Sequence, residues 1–228
     1  MFQYIFKHVL GGNDIPVIEY SEKMWRKYLN ENKMIDRKIC PICGHVGLFD
    51  STSESKERVI CPKCQSNSRS RLYFMYLSNE GVFKKDNKIV GVSPDKAIRS
   101  KLLAARDIID YTVIGKDDLA EMDFESKSVD LLMANYIVDR LENKEEAFSE
   151  IKRVLKDDGK AMLSVFLRDE DDTIRTNHYT EGQYVEMLEE EGFNVQIITS
   201  AEVCGGRMEA CVFGIASNDR ITMVGKRA

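Results

Sequence analysis

The sequence predicts an α/β protein, with a mostly parallel sheet covered on both faces and a small zinc ribbon ahead of it. Three observations carry this. From Lys88 onward, buried apolar runs alternate with segments of helical period. Upstream stand two C-P-x-C knuckles, Cys40-Pro41-Ile42-Cys43 and Cys61-Pro62-Lys63-Cys64. Near the end, the apolar runs Ala210 to Ala216 and Ile221 to Val224 flank Ser217-Asn218-Asp219-Arg220, which reads as a hairpin turn.

The elements follow in order. Tyr20 to Leu29 reads as a helix with Met24, Trp25, Tyr28 and Leu29 on one face and Ser21 as a plausible cap. Trp25 reads as a packing anchor. The ribbon follows, with Ser51 to Ser55 as its polar hairpin tip. Arg71 to Leu77 reads as a connecting helix. The expected divisions are a helical segment over 1–38, the ribbon over 39–70, a connecting helix and linker over 71–87, and the α/β domain over 88–228.

Within the α/β domain, Lys88 to Val92, Ile108 to Ile114, Val129 to Asn135, Ala161 to Phe166 and Phe193 to Ile198 read as strands. Ala97 to Leu103 is helical. A second helix starts at Asn143, with Glu146 at capping-box spacing and Ala147, Phe148, Ile151, Val154 and Leu155 as its stripe. Gly159 marks its exit. Thr180 and Gln183 bracket a third helix start.

Four thiolates at this spacing match a structural zinc site with every coordination position filled by sulfur, which leaves no place for water or substrate. His45 stands beside the first knuckle but is not needed as a ligand. Two disulfides, or four unrelated buried thiols, are the alternative. The first ten residues lack a basic stretch before a continuous apolar core, so a reducing cytoplasm, where thiols favour metal, is expected. No stretch approaches a membrane span.

The formal charge is -5, and a four-thiolate zinc centre would add about two negative charges. Overall acidity disfavours broad nucleic-acid binding. Basic residues nevertheless gather around the knuckles, among them Lys56, Arg58, Lys63, Arg69 and Arg71, so a phosphate or other anionic partner there is an alternative to a solvated face. Cys204 and Cys211 do not read as nucleophiles, Cys211 lying in an apolar run.

Three passages resemble one known family. They are the ribbon from Cys40 through Arg71-Leu72, the stretch Met122 to Asn135, and Ile151 to Lys160 followed by Glu191-Gly192-Phe193. In this order they are similar to the class I S-adenosylmethionine-dependent methyltransferases with an N-terminal four-cysteine zinc ribbon. The resemblance implies a Rossmann-like three-layer sandwich. It also implies S-adenosylmethionine as methyl donor, structural zinc, and an oxygen or nitrogen acceptor on a small-molecule or saccharide-type substrate.

The resemblance places cofactor residues at Gly91, Val92, Ser93 and Pro94, at Asp118, Leu119 and Asn135, and at either Asp110 or Asp117 as the ribose acid. Gly91 would either let the cofactor approach or let a helix pack closely, and Asn135 would face the cofactor or cap the next turn. His178 and Tyr179, after the Ala161 to Phe166 strand, are the candidates for proton handling. The chain departs from the family in two places. Its first loop, Val92-Ser93-Pro94-Asp95, is glycine-poor, and Val138-Asp139-Arg140 replaces a Leu-Glu-His triplet. Those departures motivate a rival reading, in which a methyltransferase-like binding protein without catalysis uses its basic ribbon to hold a nucleic-acid or protein partner.

Overall fold

A computed structural model describes residues 37–52, 55–83, 86–167 and 179–227. The expected helix at Tyr20 to Leu29, with Trp25, lies outside the described residues, as does His178. In chain order the first elements are β1 (Lys38–Ile39), β2 (Val46–Gly47), β3 (Asp50–Thr52), β4 (Ser55–Ile60), α1 (Ser68–Asn79), β5 (Lys88–Val92), α2 (Lys96–Ala104) and β6 (Asp110–Ile114). Then come β7 (Val129–Met133), α3 (Lys144–Val154), β8 (Leu155–Met162), α4 (Glu181–Glu190), β9 (Phe193–Thr199), α5 (Ser200–Cys204), α6 (Arg207–Val212) and β10 (Arg220–Lys226).

Two compact units emerge, and neither is contiguous in sequence. Among the described residues, one comprises those from 37 to 82 with Lys96–Lys101 and Thr199–Asp219. The other comprises Phe83–Asp95, Leu102–Ile198 and Arg220–Ala228.

The first unit contains two small antiparallel pairs, β1 with β2 and β3 with β4. Helix α1 begins where Asn67 accepts a hydrogen bond from the Ser70 amide at 2.9 Å. Leu72, Met75 and Leu77 of this helix are buried.

The second unit is the α/β body. Among the described residues its sheet has six strands in the order β6-β5-β7-β8-β10-β9. β5 pairs in parallel with β6 and with β7, β7 pairs in parallel with β8, and β10 runs antiparallel to β8. The chain passes from β5 outward to β6, then returns to β7 on the other side of β5. Strand order therefore reverses between β5 and β7, and in open α/β sheets the crevice at such a switch binds ligands.

Burial on both faces of β5 and β7 follows from this placement. Val90, Val92, Leu132 and Ala134 belong to one continuous core with Phe148, Ile151 and Val154 of α3 and Tyr184 and Leu188 of α4. Phe148 meets Phe193 edge-on with ring centres 5.6 Å apart.

Three local expectations change. The run Ala210 to Ala216 is not a strand. It falls in α6 and the turn after it, and β10 instead lies between β8 and β9. A short apolar run does not distinguish strand from buried helix. Here Arg207-Met208-Glu209-Ala210 favours a helix, and Gly214 at φ 62° ends it, with the Ile215 amide returning to the Ala210 carbonyl. Asn143 precedes α3 but makes no side-chain cap bond, whereas the Thr180–Gln183 capping box is complete. Gly159 is not a helix exit. It lies within β8, which follows α3 directly, beside a register shift against β7.

Candidate metal centre and cofactor site

The two knuckles fold identically. The Gly44 amide donates to the Cys40 carbonyl at 2.9 Å, and the Gln65 amide to the Cys61 carbonyl at 2.9 Å. The Cys40 and Cys61 amides donate in turn to the carbonyls of His45 and Ser66. Each turn needs a left-handed residue after its second cysteine, supplied by Gly44 at φ 71° and Gln65 at φ 60°.

All four sulfurs lie within 4.8 Å of one another. Cys40 and Cys64 are 3.6 Å apart, as are Cys43 and Cys61. A disulfide needs about 2.05 Å, whereas two sulfurs on one tetrahedral zinc at about 2.3 Å stand roughly 3.8 Å apart. The donor set and its spacing therefore fit a four-thiolate zinc, and all four residues are free cysteines. Burial pushes the Cys40 thiol up, partly offset by Ser66. Burial acts the same way at Cys64, but hydrogen bonds from the Ser66 side chain and backbone outweigh it and hold that thiol down.

Arg71 stands behind the cluster and is 0% exposed. Its Nε donates to the Phe213 carbonyl at 2.9 Å, and its Nη2 to the carbonyls of Val59 at 2.7 Å and Gly214 at 2.5 Å. Its Nη1 donates to the Ser66 carbonyl at 2.5 Å and the Ser66 hydroxyl at 3.3 Å. Burial pulls its pKa down, opposed by the thiolates of Cys40, Cys61 and Cys64 and by Asp219. By sequence Arg71 belongs to the basic group around the knuckles that could meet an anionic partner or face solvent. Its complete burial removes it from any such surface.

In the α/β body the expected cofactor residues other than Asp110 lie at or near the carboxyl ends of β5, β6 and β7. After β5, Ser93 adopts φ 43°, the left-handed turn a glycine would make, and its amide donates to the Ile114 carbonyl at 3.0 Å. Gly91 is small for another reason, because a Cβ there would meet the Tyr111 hydroxyl at 2.5 Å.

After β6, the Asp118 carboxylate accepts the Gly115 amide at 2.8 Å, while the Asp117 side chain is 90% exposed. Leu119 is fully buried in the core. Asp110 opens β6 opposite Lys88 at the amino end of β5, so it stands at the wrong end of the sheet for a ribose acid. After β7, the Asn135 side-chain Oδ1 accepts the Ser164 backbone amide at 3.1 Å, joining the ends of β7 and β8.

Tyr179 forms an isolated bridge with Leu167 just past β8. Its hydroxyl accepts a hydrogen bond from Lys144 Nζ at 3.0 Å, and its ring lies 5.5 Å from that of Tyr184. Lys144 gave no sequence signal, because a lysine in the first turn of a helix is ordinary.

Comparison with known proteins agrees with this geometry. Residues 72–163 match the family described as "Methyltransferase domain". That span takes in β5 to β8, and over it the chain is similar to the methyltransferase domain. No curated protein matches the chain.

Among solved structures, phosphoethanolamine N-methyltransferase 2 of Haemonchus contortus, bound to phosphomonomethylethanolamine and S-adenosylhomocysteine, is 14% identical with a TM-score of 0.47. The match covers 68% of this chain and 52% of that one, about half the nematode chain. A methyltransferase from Aquifex aeolicus is 11% identical over 66% of this chain and 88% of its own, with a TM-score of 0.45. The YcgJ protein from Bacillus subtilis is 12% identical over 69% and 98%, with a TM-score of 0.41.

Proposed function

We propose that this protein transfers a methyl group from S-adenosylmethionine to an oxygen or nitrogen nucleophile on a small-molecule or saccharide-type acceptor, with zinc serving the ribbon as a structural metal. The observation that supports this best is the reversal of strand order between β5 and β7, inside the span matching the methyltransferase domain. The residues around that crevice fit the donor. Ser93 keeps the left-handed turn despite the sparse glycines, and Asp117 holds its carboxylate in water at the end of β6.

When bound, S-adenosylmethionine supplies an electrophilic methyl group on a sulfonium. The chain's part is positioning. Val92, Ser93 and Pro94 form the turn along which backbone meets the donor. Asp117 accepts hydrogen bonds from the ribose hydroxyls. Asp118 fixes the loop through the Gly115 amide, so Leu119 follows it into the core. Asn135 ties the ends of β7 and β8 through the Ser164 amide. Tyr179, held by Lys144, orients the acceptor, and His178, its neighbour in sequence, takes the proton that the acceptor releases.

Transfer of a labelled methyl group from S-adenosylmethionine to a panel of amines, hydroxylated small molecules and sugars tests the proposal. Label transfer that falls about 10²-fold in His178→Ala and at least several-fold in Tyr179→Phe supports it. Donor binding without transfer to any acceptor favours the non-catalytic reading.

A further inference from the structure

We infer that Arg71 is the internal counter-ion of the four-cysteine centre, and that through it metal occupancy locks the segment Thr199–Asp219 into the ribbon's own compact unit. The inference rests on the four-thiolate reading of the centre.

A zinc ion on four thiolates carries a net charge of about −2. Burying such a charge is unfavourable unless an opposite charge and hydrogen-bond donors accompany it. Cys40 and Cys61 are both 0% exposed, so the sulfur cluster meets that condition on its inner side. The inner side is where Arg71 lies. It reaches the sulfurs through one hydroxyl, since Ser66 Oγ is 3.3 Å from Arg71 Nη1, 3.4 Å from Cys40 Sγ and 3.2 Å from Cys64 Sγ. With Arg71 donating to it, the Ser66 hydroxyl directs its own proton toward a thiolate.

The same guanidinium holds the distant segment. A guanidinium has five N–H donors, and each one here has a backbone or hydroxyl acceptor. Two of those acceptors are the carbonyls of Phe213 and Gly214. Gly214 sits at φ 62°, and a Cβ there would be 3.2 Å from Arg71 Nη2 and 3.0 Å from Val59, so this turn is shaped around the arginine. Ser68, near the start of α1, adds a second tie, because its hydroxyl bonds the Asp219 carboxylate and accepts the Ala216 amide at 2.7 Å.

A lysine has the charge but not the fork, and methionine has neither. Removing the metal lets the four sulfurs separate, and with them the Ser66 turn on which Arg71 holds. Arg71 then loses the Ser66 acceptors that fix its fork, although Asp219 remains as an opposite charge, and its release frees Phe213 and Gly214. The segment Thr199–Asp219 is therefore metal-dependent although it supplies no ligand.

Hydrogen exchange on the whole chain, zinc-loaded and after chelation, tests this, with zinc content measured in parallel. Chelation should speed amide exchange at least 10-fold in residues 207–216 as well as around both knuckles, while β5, β7 and β8 keep their protection. Arg71→Met should weaken zinc binding about 10- to 100-fold in a chelator competition, with Arg71→Lys falling between it and the wild type. Unchanged protection of 207–216 after zinc is removed from the wild-type chain would overturn the inference even where Arg71→Met fails to fold. Arg71→Met that binds zinc with wild-type affinity would overturn it as well. A chain that holds no zinc at all would instead strike the four-thiolate reading.

Discussion

The ring of Tyr111 lies across the α-carbon of Gly91, so that a Cβ on Gly91 would stand 2.5 Å from the phenol oxygen and 3.2 Å from two ring carbons. Tyr111 is buried and its ring is rigid, so the overlap is not relieved by a swinging chain end. Gly91→Ala should cost about 1–3 kcal/mol of stability by overpacking. In a Tyr111→Leu background the same change should cost clearly less, which a double-mutant cycle of denaturation midpoints would read as coupling.

Gly159 is more constrained. A Cβ there would meet the Lys156 amide nitrogen and the Val129 carbonyl oxygen, both at 2.8 Å. Both contacts are backbone at the β7–β8 register shift, where neither strand can retreat without breaking its ladder. Gly159→Ala should destabilise by about 3 kcal/mol or more, measured by urea unfolding.

The pH dependence of the α/β body has an identifiable contributor. Arg153 holds Glu150 with two bonds, at 2.7 and 2.8 Å, and also donates to the carbonyls of Phe124 and Met122. The Arg153 hydrogen bonds pull the Glu150 carboxyl below its usual range, with a further contribution from the Met122 amide. A depressed folded-state pKa means stability that is fully present above the unfolded value, about 4.3, and lost as pH falls through the folded one. Glu150→Gln should therefore destabilise at pH 7 by roughly 1–2 kcal/mol, and the gap from wild type should close toward pH 3.

Metal content gives a separate check. About one zinc per chain is expected, with Cys61→Ser removing most of it and unfolding the ribbon. Acidification should release the metal, since each sulfur binds it only as thiolate. Gln65→Gly should hold zinc at least as well as wild type and be stabilised by up to about 1 kcal/mol, because glycine takes the left-handed turn at φ 60° without strain.

Much of this was legible in residue order. The two knuckles announced their cluster because C-P-x-C leaves little conformational choice, and β5 appeared with its full bounds because Lys88 to Val92 is bounded by turn residues. Arg153 fell within a recognisable passage. What stayed hidden depended on distant partners. Arg71 read as one more surface cation, since nothing nearby shows that Phe213 and Gly214 close over it. Asp110 read as a strand acid, but which end of β6 it occupies follows from the register with Lys88. Gly91 reads equally as a cofactor glycine or a packing glycine, because the Tyr111 ring beside it comes from the neighbouring strand.

The proposed adenosyl crevice lies at the ends of β5 and β6, and calorimetry with S-adenosylhomocysteine reads its occupancy without any acceptor. The account predicts saturable heat with a stoichiometry near one and a rise in melting temperature, weakened about 10-fold or more in Asp117→Asn while the variant's own stability is unchanged. No heat and no thermal shift at millimolar ligand, from a zinc-loaded and folded chain, would contradict it.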